Sequence, residues 1–201
     1  MPKGVGAAQS ASAKRVDLAP SRRAGRHSAD LAPEWAKTIV DCLRTSTIRN
    51  IVFLPDTVTG AMLALAEADP FFRLIAVHRE EEAVGVLTGL CLGGQRGIMV
   101  VQSAGLGNSL NALGSLAMAY RVAFPLLVSL RGELGEFNPG HLVMGRAVEG
   151  CLDALGIQHV TLRRGEDVRV LTTGALKTCF TAEQPLALLL SAQLTGWKDE
   201  S

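Results

Sequence analysis

Several features typical of nucleic-acid-binding or membrane-spanning proteins are scarce in this chain of 201 residues. Aromatic residues make up 4% of it and the formal net charge is +1, so it lacks stacking platforms and a strongly basic surface for nucleic acid. No apolar run approaches the roughly 20 residues of a membrane-spanning helix. We therefore expect a soluble protein with no nucleic-acid or membrane partner.

Cysteine is also scarce, and the four cysteines do not form a CxxC or metal-ligand spacing. Each lies in apolar sequence, which predicts reduced thiols in the core of a cytoplasmic protein. These residues are Cys42, Cys91, Cys151 and Cys179.

Large apolar residues are nearly missing from residues 1–32, which are rich in Ala, Ser and Arg. Such a segment buries too little surface to offset its ordering entropy, so we predict a disordered tail. A transit peptide is the alternative, although Asp17 and Asp30 are unusual in one. Residues 33–201 are predicted to form one domain, with ample apolar content for a core at 48% of the whole chain.

Periodic helix-like segments alternate with short apolar runs from Pro33 onward. Apolar strands separated by helices favour an α/β fold, a doubly wound, mainly parallel six-stranded sheet with helices on both faces. The predicted helices are 33–46, 58–68, 79–93, 106–122, 142–155 and 166–181, and the predicted strands are NIVFLP, FRLIAV, GIMVVQ, PLLVSL, HVTL and PLALLL.

Chemistry in such a sheet is expected at the carboxyl ends of the strands, because ligands bind there. The loops that follow those ends contain LPDTV, VHREEE, QSAGLGN and RGELGEFNPGH.

The second of these loops opens a helix with three acids, and helix periodicity ranks them. Positions three, four and seven residues beyond Glu80 are all apolar, namely Ala83, Val84 and Leu87. Glu80 is therefore predicted to lie in line with the buried stripe, where a carboxylate needs a partner to offset its desolvation. Acids in a first helical turn also favour the positive end of the helix dipole. That explanation suffices for Glu81 and Glu82 and stays open for Glu80.

The third loop, SAGLGN, follows a strand and opens a helix, as a dinucleotide-binding turn does. Gly105 and Gly107 match the first two glycines of GxGxxG, but Leu110 stands at the third. A nicotinamide-dependent dehydrogenase is therefore not expected.

A specific combination of motifs resembles a known family. The pattern Glu80-x4-Gly85-x3-Gly89 is followed by the strand GIMVVQ, by GLGNSLNALGSL, and by RGELGEFNPGHLVMGRA. This combination is similar to the pyrimidine-binding domain of thiamine-diphosphate-dependent 2-oxo acid decarboxylases. Within that family it resembles the alpha subunit of sulfopyruvate decarboxylase and the matching half of phosphonopyruvate decarboxylase. The resemblance covers roughly residues 34–195 and implies the thiamine-diphosphate-binding fold of the pyrimidine type.

The resemblance implies a catalytic role for Glu80. In the family this glutamate hydrogen-bonds N1′ of the aminopyrimidine and favours the tautomer that removes the proton from the thiazolium C2. The implied reaction is decarboxylation of a small 2-oxo acid with a second anionic group, a sulfonate or phosphonate. Gly85 and Gly89 then let the helix approach another backbone or the cofactor, with helix-to-sheet packing as the alternative.

Further site residues follow from the resemblance. The turn of Gly105, Leu106, Gly107 and Asn108 is expected beside the cofactor, although Asn108 is equally a candidate helix cap. Ser103 is expected to bind the substrate. The family commonly has Asn-Ser where this chain has Ser103-Ala104, which loses an amide and moves the hydroxyl, so the identity of the substrate stays open.

Two other loops supply weaker candidates. Pro55, Asp56 and Thr57 match a family motif near the substrate, although Asp-Thr is also a common helix cap. In the long loop RGELGEFNPGH, a candidate lid, Arg131 is expected to attract an acidic substrate and His141 to relay protons. Arg121 is the alternative cation.

A Gly-Asp-Gly sequence, which in this family begins the Mg²⁺ and diphosphate site, is missing from the chain. No metal ligand is therefore expected here. We predict that a second chain, the beta subunit, holds Mg²⁺ and the diphosphate, and that thiamine diphosphate lies across an apolar interface in a hetero-oligomer with two copies of each chain. Two alternatives stay open: the same architecture with other chemistry, such as carboligation, and a non-catalytic binding module.

Overall fold

The computed structural model describes residues 32–196, and they form a parallel six-stranded sheet in the order β2-β1-β3-β4-β6-β5. Every neighbouring pair is parallel, with Val100 opposite Leu127 and Leu127 opposite Leu188. The mainly parallel sheet predicted from the sequence is confirmed. The strands are β1 Asn50–Phe53, β2 Arg73–Ala76, β3 Gly97–Gln102, β4 Pro125–Ser129, β5 Gln158–Leu162 and β6 Leu186–Leu190.

Helices cover both faces of this sheet, so the doubly wound arrangement is also confirmed. Side chains alternate along each strand, and Ile98 and Val100 face one core while Met99 and Val101 face the other. The helices are α1 Glu34–Thr45, α2 Gly60–Glu67, α3 Glu80–Leu92, α4 Ser103–Ala112, α5 Pro139–Leu155, α6 Val168–Ala182 and the short α7 Ala192–Thr195. Residues of α1, α2 and α6 line the first core, and residues of α3, α4 and α5 line the second.

Two helices begin earlier than the sequence predicts. α4 starts at Ser103 rather than 106, so the glycine-containing segment is the first turn of a helix and not a loop. A π-helical segment, Leu113–Met118, continues α4. α5 starts at Pro139 rather than 142, because Asn138 accepts a hydrogen bond from the Gly140 amide at 2.9 Å and proline is favoured in a first turn. His141 therefore lies in a helix.

The predicted disordered tail, residues 1–32, lies outside the described residues except for Ala32, which is buried. All four cysteines are free thiols, and burial raises the pKa of Cys179 to about 12. Among residues 32–196, no helix is long and apolar enough to cross a membrane.

The start of α5 packs directly against the chain that leaves β4. Gly132 has φ +76°, a conformation that favours glycine, and a Cβ atom there would lie 2.6 Å from the carbonyl oxygen of His141. A Cβ atom at Gly145 would clash with the carbonyl oxygen of Arg131. This backbone-to-backbone contact fixes α5 beside the carboxyl end of β4.

Substitutions at two glycines of α5 test this packing. We expect Gly145→Ala to lower the free energy of unfolding by about 2 kcal/mol or more, because the methyl group overlaps backbone that cannot move away. Gly150 is exposed and a Cβ atom there would meet nothing within 4 Å. Gly150→Ala should therefore raise the free energy of unfolding by roughly 0.5–1 kcal/mol, because alanine favours the helix more than glycine does. Urea unfolding followed by circular dichroism measures both. Equal effects of the two substitutions on stability would contradict the close contact between Gly145 and the backbone of Arg131.

Candidate active site

Glu80, the first residue of α3, is a buried carboxylate at the carboxyl edge of the sheet. It is 8% exposed, and Ala83, Val84 and Leu87 continue its stripe into the core. The inward direction predicted from helix periodicity is confirmed. The positive end of the α3 dipole also lies at this residue.

The other two acids belong to the helix start, as the sequence analysis expected. Glu81 accepts a hydrogen bond from the Arg79 guanidinium at 2.7 Å. Glu82 is exposed and accepts from the backbone amide of His78 at 3.1 Å. Glu80 is buried, Glu81 is half-buried with its Oε2 lacking a hydrogen-bond partner among residues 32–196, and Glu82 is exposed.

The carboxylate of Glu80 lies across the first turns of α4. Asn108 Nδ2 donates a hydrogen bond to Glu80 Oε2 at 3.0 Å. A Cβ atom on Gly105 would lie 2.6 Å from Glu80 Cγ and 2.9 Å from Oε1, so glycine leaves the space that this side chain fills. Because α4 begins at Ser103, Asn108 is inside the helix, and its interpretation as a helix cap is wrong.

The remaining residues of the GLGN segment face the protein itself. The side chain of Leu106 is fully buried in the second core. A Cβ atom on Gly107 would lie 2.9 Å from Met144 Sδ, so this glycine allows close packing between α4 and α5. Any cofactor contact by Leu106 or Gly107 would therefore involve backbone atoms, whereas Gly105 and Asn108 border Glu80.

Hydrogen bonds join the ends of three strands beside Glu80. Asp56 Oδ2 accepts from Ser129 Oγ at 2.8 Å and from the Val58 amide at 3.2 Å. Ser103 Oγ donates to the Ser129 carbonyl at 3.3 Å and accepts from the Arg131 amide at 3.0 Å. The predicted substrate residues Asp56, Ser103 and Arg131 are thus brought together. Ser129 was missed by the sequence analysis, since it lies within an apolar strand.

The flanking residues Pro55 and Thr57 are exposed in the loop after β1. Arg121, the alternative cation, precedes β4 and therefore lies at the amino edge, where its guanidinium donates to the Ala182 carbonyl at 3.0 Å. It cannot reach a substrate held beside Glu80.

The positive charge of Arg131 is already paired within the chain. Its guanidinium makes two hydrogen bonds to Glu136, from Nε at 2.7 Å and from Nη2 at 2.9 Å, and both side chains are more than 90% buried. The hydrogen bond from Arg131 lowers the pKa of Glu136 to about 2 against the opposing effect of burial, and the amides of Asn138 and Gly132 lower it further. The same pair raises the pKa of Arg131.

His141 lies next to this ion pair. Its Nδ1 is buried, 3.6 Å from Glu136 Oε1, and has no hydrogen-bond partner within residues 32–196. At the other side of the loop, Glu133 accepts from Ser191 Oγ at 2.9 Å and from Arg163 at 3.2 Å. These two acids hold the candidate lid in place at both sides, a role for Glu133 and Glu136 that sequence analysis did not identify.

Residues that could hold a metal ion do not cluster in the described part of the chain. What the edge offers chemically is one largely buried carboxylate to which the neutral Asn108 amide donates a hydrogen bond. Oε1 of Glu80 has no hydrogen-bond partner among residues 32–196. It is therefore suited to accept an N–H donor from a bound molecule.

Acid titration tests the Arg131–Glu136 pair. A carboxyl with a pKa of about 2 in place of 4.5 stabilises the fold above pH 4.5, and this stability is lost as the pH falls toward 2. We expect Glu136→Gln to lower the free energy of unfolding at pH 7 by roughly 3 kcal/mol, and the difference from wild type to shrink below pH 4.5.

Urea unfolding between pH 7 and pH 2 measures this difference. The exposed Glu166, paired with Arg164, provides the control: Glu166→Gln should change stability by less than about 1 kcal/mol. A Glu136→Gln effect that does not change between pH 7 and pH 2 would contradict the assignment.

Comparison with known proteins finds relatives among decarboxylases. The chain is 33% identical over 154 residues to sulfopyruvate decarboxylase subunit alpha of Methanocaldococcus jannaschii, covering 77% of this chain and 91% of the relative. It is 29% identical to the same subunit of Methanococcus maripaludis, covering 78% and 94%. It is also 34% identical to phosphonopyruvate decarboxylase of Streptomyces viridochromogenes over 67% of this chain and 32% of that protein.

No protein-family model matches the chain. Among solved structures, 2-oxoglutarate:ferredoxin oxidoreductase from Magnetococcus marinus aligns with a TM-score of 0.61 at 15% identity, covering 80% of this chain and 29% of that one, which is a likeness of fold. The identity to the alpha subunits extends over nearly the whole described domain. The chain therefore belongs to the family of sulfopyruvate decarboxylase alpha subunits and is a subunit of a carboxy-lyase.

Proposed function

We propose that this chain is the alpha subunit of a two-chain, thiamine-diphosphate-dependent decarboxylase whose substrate is a small anionic 2-oxo acid, with sulfopyruvate as the first candidate. The observation on which the proposal depends is the Glu80 carboxylate, 8% exposed, with one neutral hydrogen-bond donor and no cation paired with it in the described chain. The names of the relatives supply the substrate class.

The residues present fit the pyrimidine half of thiamine diphosphate. Desolvation of a carboxylate is costly, and a ring N–H donor would offset that cost at Oε1. A hydrogen bond of this kind is stronger in a poorly hydrated site than in water. When bound, thiamine diphosphate supplies a nucleophilic carbon and an electron sink for loss of carbon dioxide from a 2-oxo acid. Glu80 contributes by holding a proton at the pyrimidine nitrogen.

The GLGN segment would line this half of the site, with Gly105 and Asn108 bordering Glu80 and Leu106 and Gly107 offering backbone atoms. For His141, which borders the buried Glu136, we propose a role in proton transfer during turnover. Its Nδ1 faces Glu136, which would leave Nε2 for the reacting groups.

Mg²⁺ and the diphosphate would be held by a beta subunit, since the chain has no Gly-Asp-Gly sequence. The free thiols are consistent with a cytoplasmic location for this complex. Two copies of each chain give the simplest closed assembly.

The outer face of α3 supports the existence of that partner. After Glu82, the outward stripe contains Gly85, Gly89 and Leu92, and Leu92 is 84% exposed. Both glycines are exposed and a Cβ atom on either would meet nothing within 4 Å, so their interpretation as helix-to-sheet packing is wrong. A helix that is apolar on all sides is normally buried, and the bare glycines would let another backbone come close.

A related decarboxylase with a different 2-oxo acid is the second candidate, favoured by one observation. Arg131, the cation expected to bind the second anionic group, is neutralised by Glu136. In the first candidate another cation, from a beta subunit or from this chain, would therefore bind that group. A panel of 2-oxo acids with and without a sulfonate or phosphonate separates the two.

Glu80→Gln tests the proposal in the reconstituted two-chain complex. The substitution preserves size but removes the charge, so we expect kcat for carbon dioxide release from sulfopyruvate to fall by about 100-fold or more. Carbon dioxide release with thiamine diphosphate and Mg²⁺ is the measurement. Glu82→Gln, in the same helical turn but exposed, should retain most of the activity, and the alpha chain alone should be inactive. Substantial activity in Glu80→Gln would refute the assignment of the catalytic acid.

Assembly tests the α3 surface. We expect Gly89→Leu to prevent the alpha chain from co-purifying with its beta subunit, because the new side chain fills the space into which a partner helix would pack. Gly150→Leu, at an exposed α5 glycine with equally open surroundings, should assemble normally. Size-exclusion chromatography gives the assembly state and circular dichroism verifies folding. Normal assembly of Gly89→Leu would exclude α3 from the interface.

A further inference from the structure

We propose that α4 forms a two-point seat for the Glu80 carboxylate, and that Asn108 is a positioning residue that affects the reaction through Glu80 rather than by contact with substrate. The seat consists of the Asn108 amide and the bare α-carbon of Gly105. This inference rests on the proposed function, since it assigns the groups that orient its catalytic acid.

The two contacts fix the two carboxylate oxygens differently. Oε2 accepts the Asn108 hydrogen bond at 3.0 Å, and Oε1 lies above Gly105, where a Cβ atom would approach to 2.9 Å. Gly105 and Asn108 are three residues apart and so share one face of α4. The arrangement selects Oε1 as the oxygen presented to a ligand.

Contacts with β4 and α5 hold the first turns of α4, and therefore the seat, in place. Ser103 joins the first turn of α4 to β4 through the Ser129 carbonyl and the Arg131 amide. Leu106 is fully buried, and Gly107 packs closely on Met144 of α5. A glutamate side chain has three rotatable bonds, and a fixed seat restricts them before any ligand binds.

The donor in the seat, the Asn108 amide, is uncharged and so does not form an ion pair with Glu80. A lysine or arginine at this place would form an ion pair and neutralise the carboxylate. The Asn108 amide satisfies one oxygen and leaves the negative charge to attract an N–H donor at the other. Since a carboxylate only accepts, the amide must direct its NH₂ group toward Glu80.

If Asn108 were needed for folding, its replacement would lower the unfolding midpoint. Asn108 is exposed and lies inside a helix, where asparagine is less favourable than alanine. In Asn108→Ala the gain in helix propensity opposes the loss of the donor to Glu80 Oε2, so the unfolding midpoint should change little. A loss of activity without a loss of stability would identify positioning rather than folding.

The experiment is a double-mutant cycle in the reconstituted complex with its beta subunit. The variants are wild type, Asn108→Ala, Glu80→Gln and the double substitution, with Asn111→Ala, an exposed asparagine on the same helix, as the control. Four quantities are measured: kcat and KM for sulfopyruvate, the dissociation constant of thiamine diphosphate by calorimetry with Mg²⁺, and the unfolding midpoint.

We expect Asn108→Ala to lower kcat about 10- to 100-fold and to weaken cofactor binding, with KM nearly unchanged. In the Glu80→Gln background the same substitution should cause no further change in the dissociation constant. Gly105→Ala should approach the loss caused by Glu80→Gln, because the methyl group displaces the side chain. Asn111→Ala should behave as wild type.

Three results would overturn the seat. Wild-type kcat in Asn108→Ala would show that the hydrogen bond is dispensable, and an undiminished effect in the Glu80→Gln background would mean that Asn108 contacts ligand directly. A lowered unfolding midpoint that accounts for the lost activity would make it a folding residue. If the proposed function itself is wrong, Glu80→Gln retains wild-type activity, which distinguishes that outcome from the three above.

Discussion

Burial of one carboxylate against the first turn of α4 constrains the whole carboxyl edge of the sheet. For Glu80 to lie there, α4 must approach α3 without a side chain at Gly105, and α4 must be fixed in depth by Ser103. The parallel sheet makes this possible, because every strand delivers its following loop to the same edge. Residues far apart in the chain thereby share one small region.

A second constraint is the buried Arg131–Glu136 pair. Two opposite charges that are both more than 90% buried need several hydrogen bonds, and the amides of Gly132 and Asn138 supply them. The chain after β4 is thereby folded into a compact loop that delivers Pro139 to the start of α5. Because Arg131 is paired with Glu136 within the chain, a second anionic group of the substrate would be bound by other residues in the proposed complex.

Local periodicity predicted the alternation of helices and strands along the chain well, and it also predicted which of three adjacent acids turns inward. It failed where contacts join distant residues: Ser129 to Asp56, Glu133 to Ser191, and Asn108 to Glu80 are separated by 73, 58 and 28 positions. The start of α4 was missed for a related reason. Glycines suggest a turn when read locally, yet here the side chains of Glu80 and Met144 fill the space above Gly105 and Gly107 and a helix forms.

Glu80, the proposed catalytic acid, and the bare outer stripe of glycines belong to the same helix. With 13 residues, α3 is about 20 Å long. Because a helix of this length is rigid, a displacement at one end also moves the other end. In the proposed complex, a subunit seated along Gly85, Gly89 and Leu92 would set the tilt of this helix and with it the depth of Glu80 in the site. Assembly and proton transfer would then depend on the same helix. Without its partner, the chain would still have the Glu80 carboxylate, but the depth of that carboxylate in the site would not be fixed.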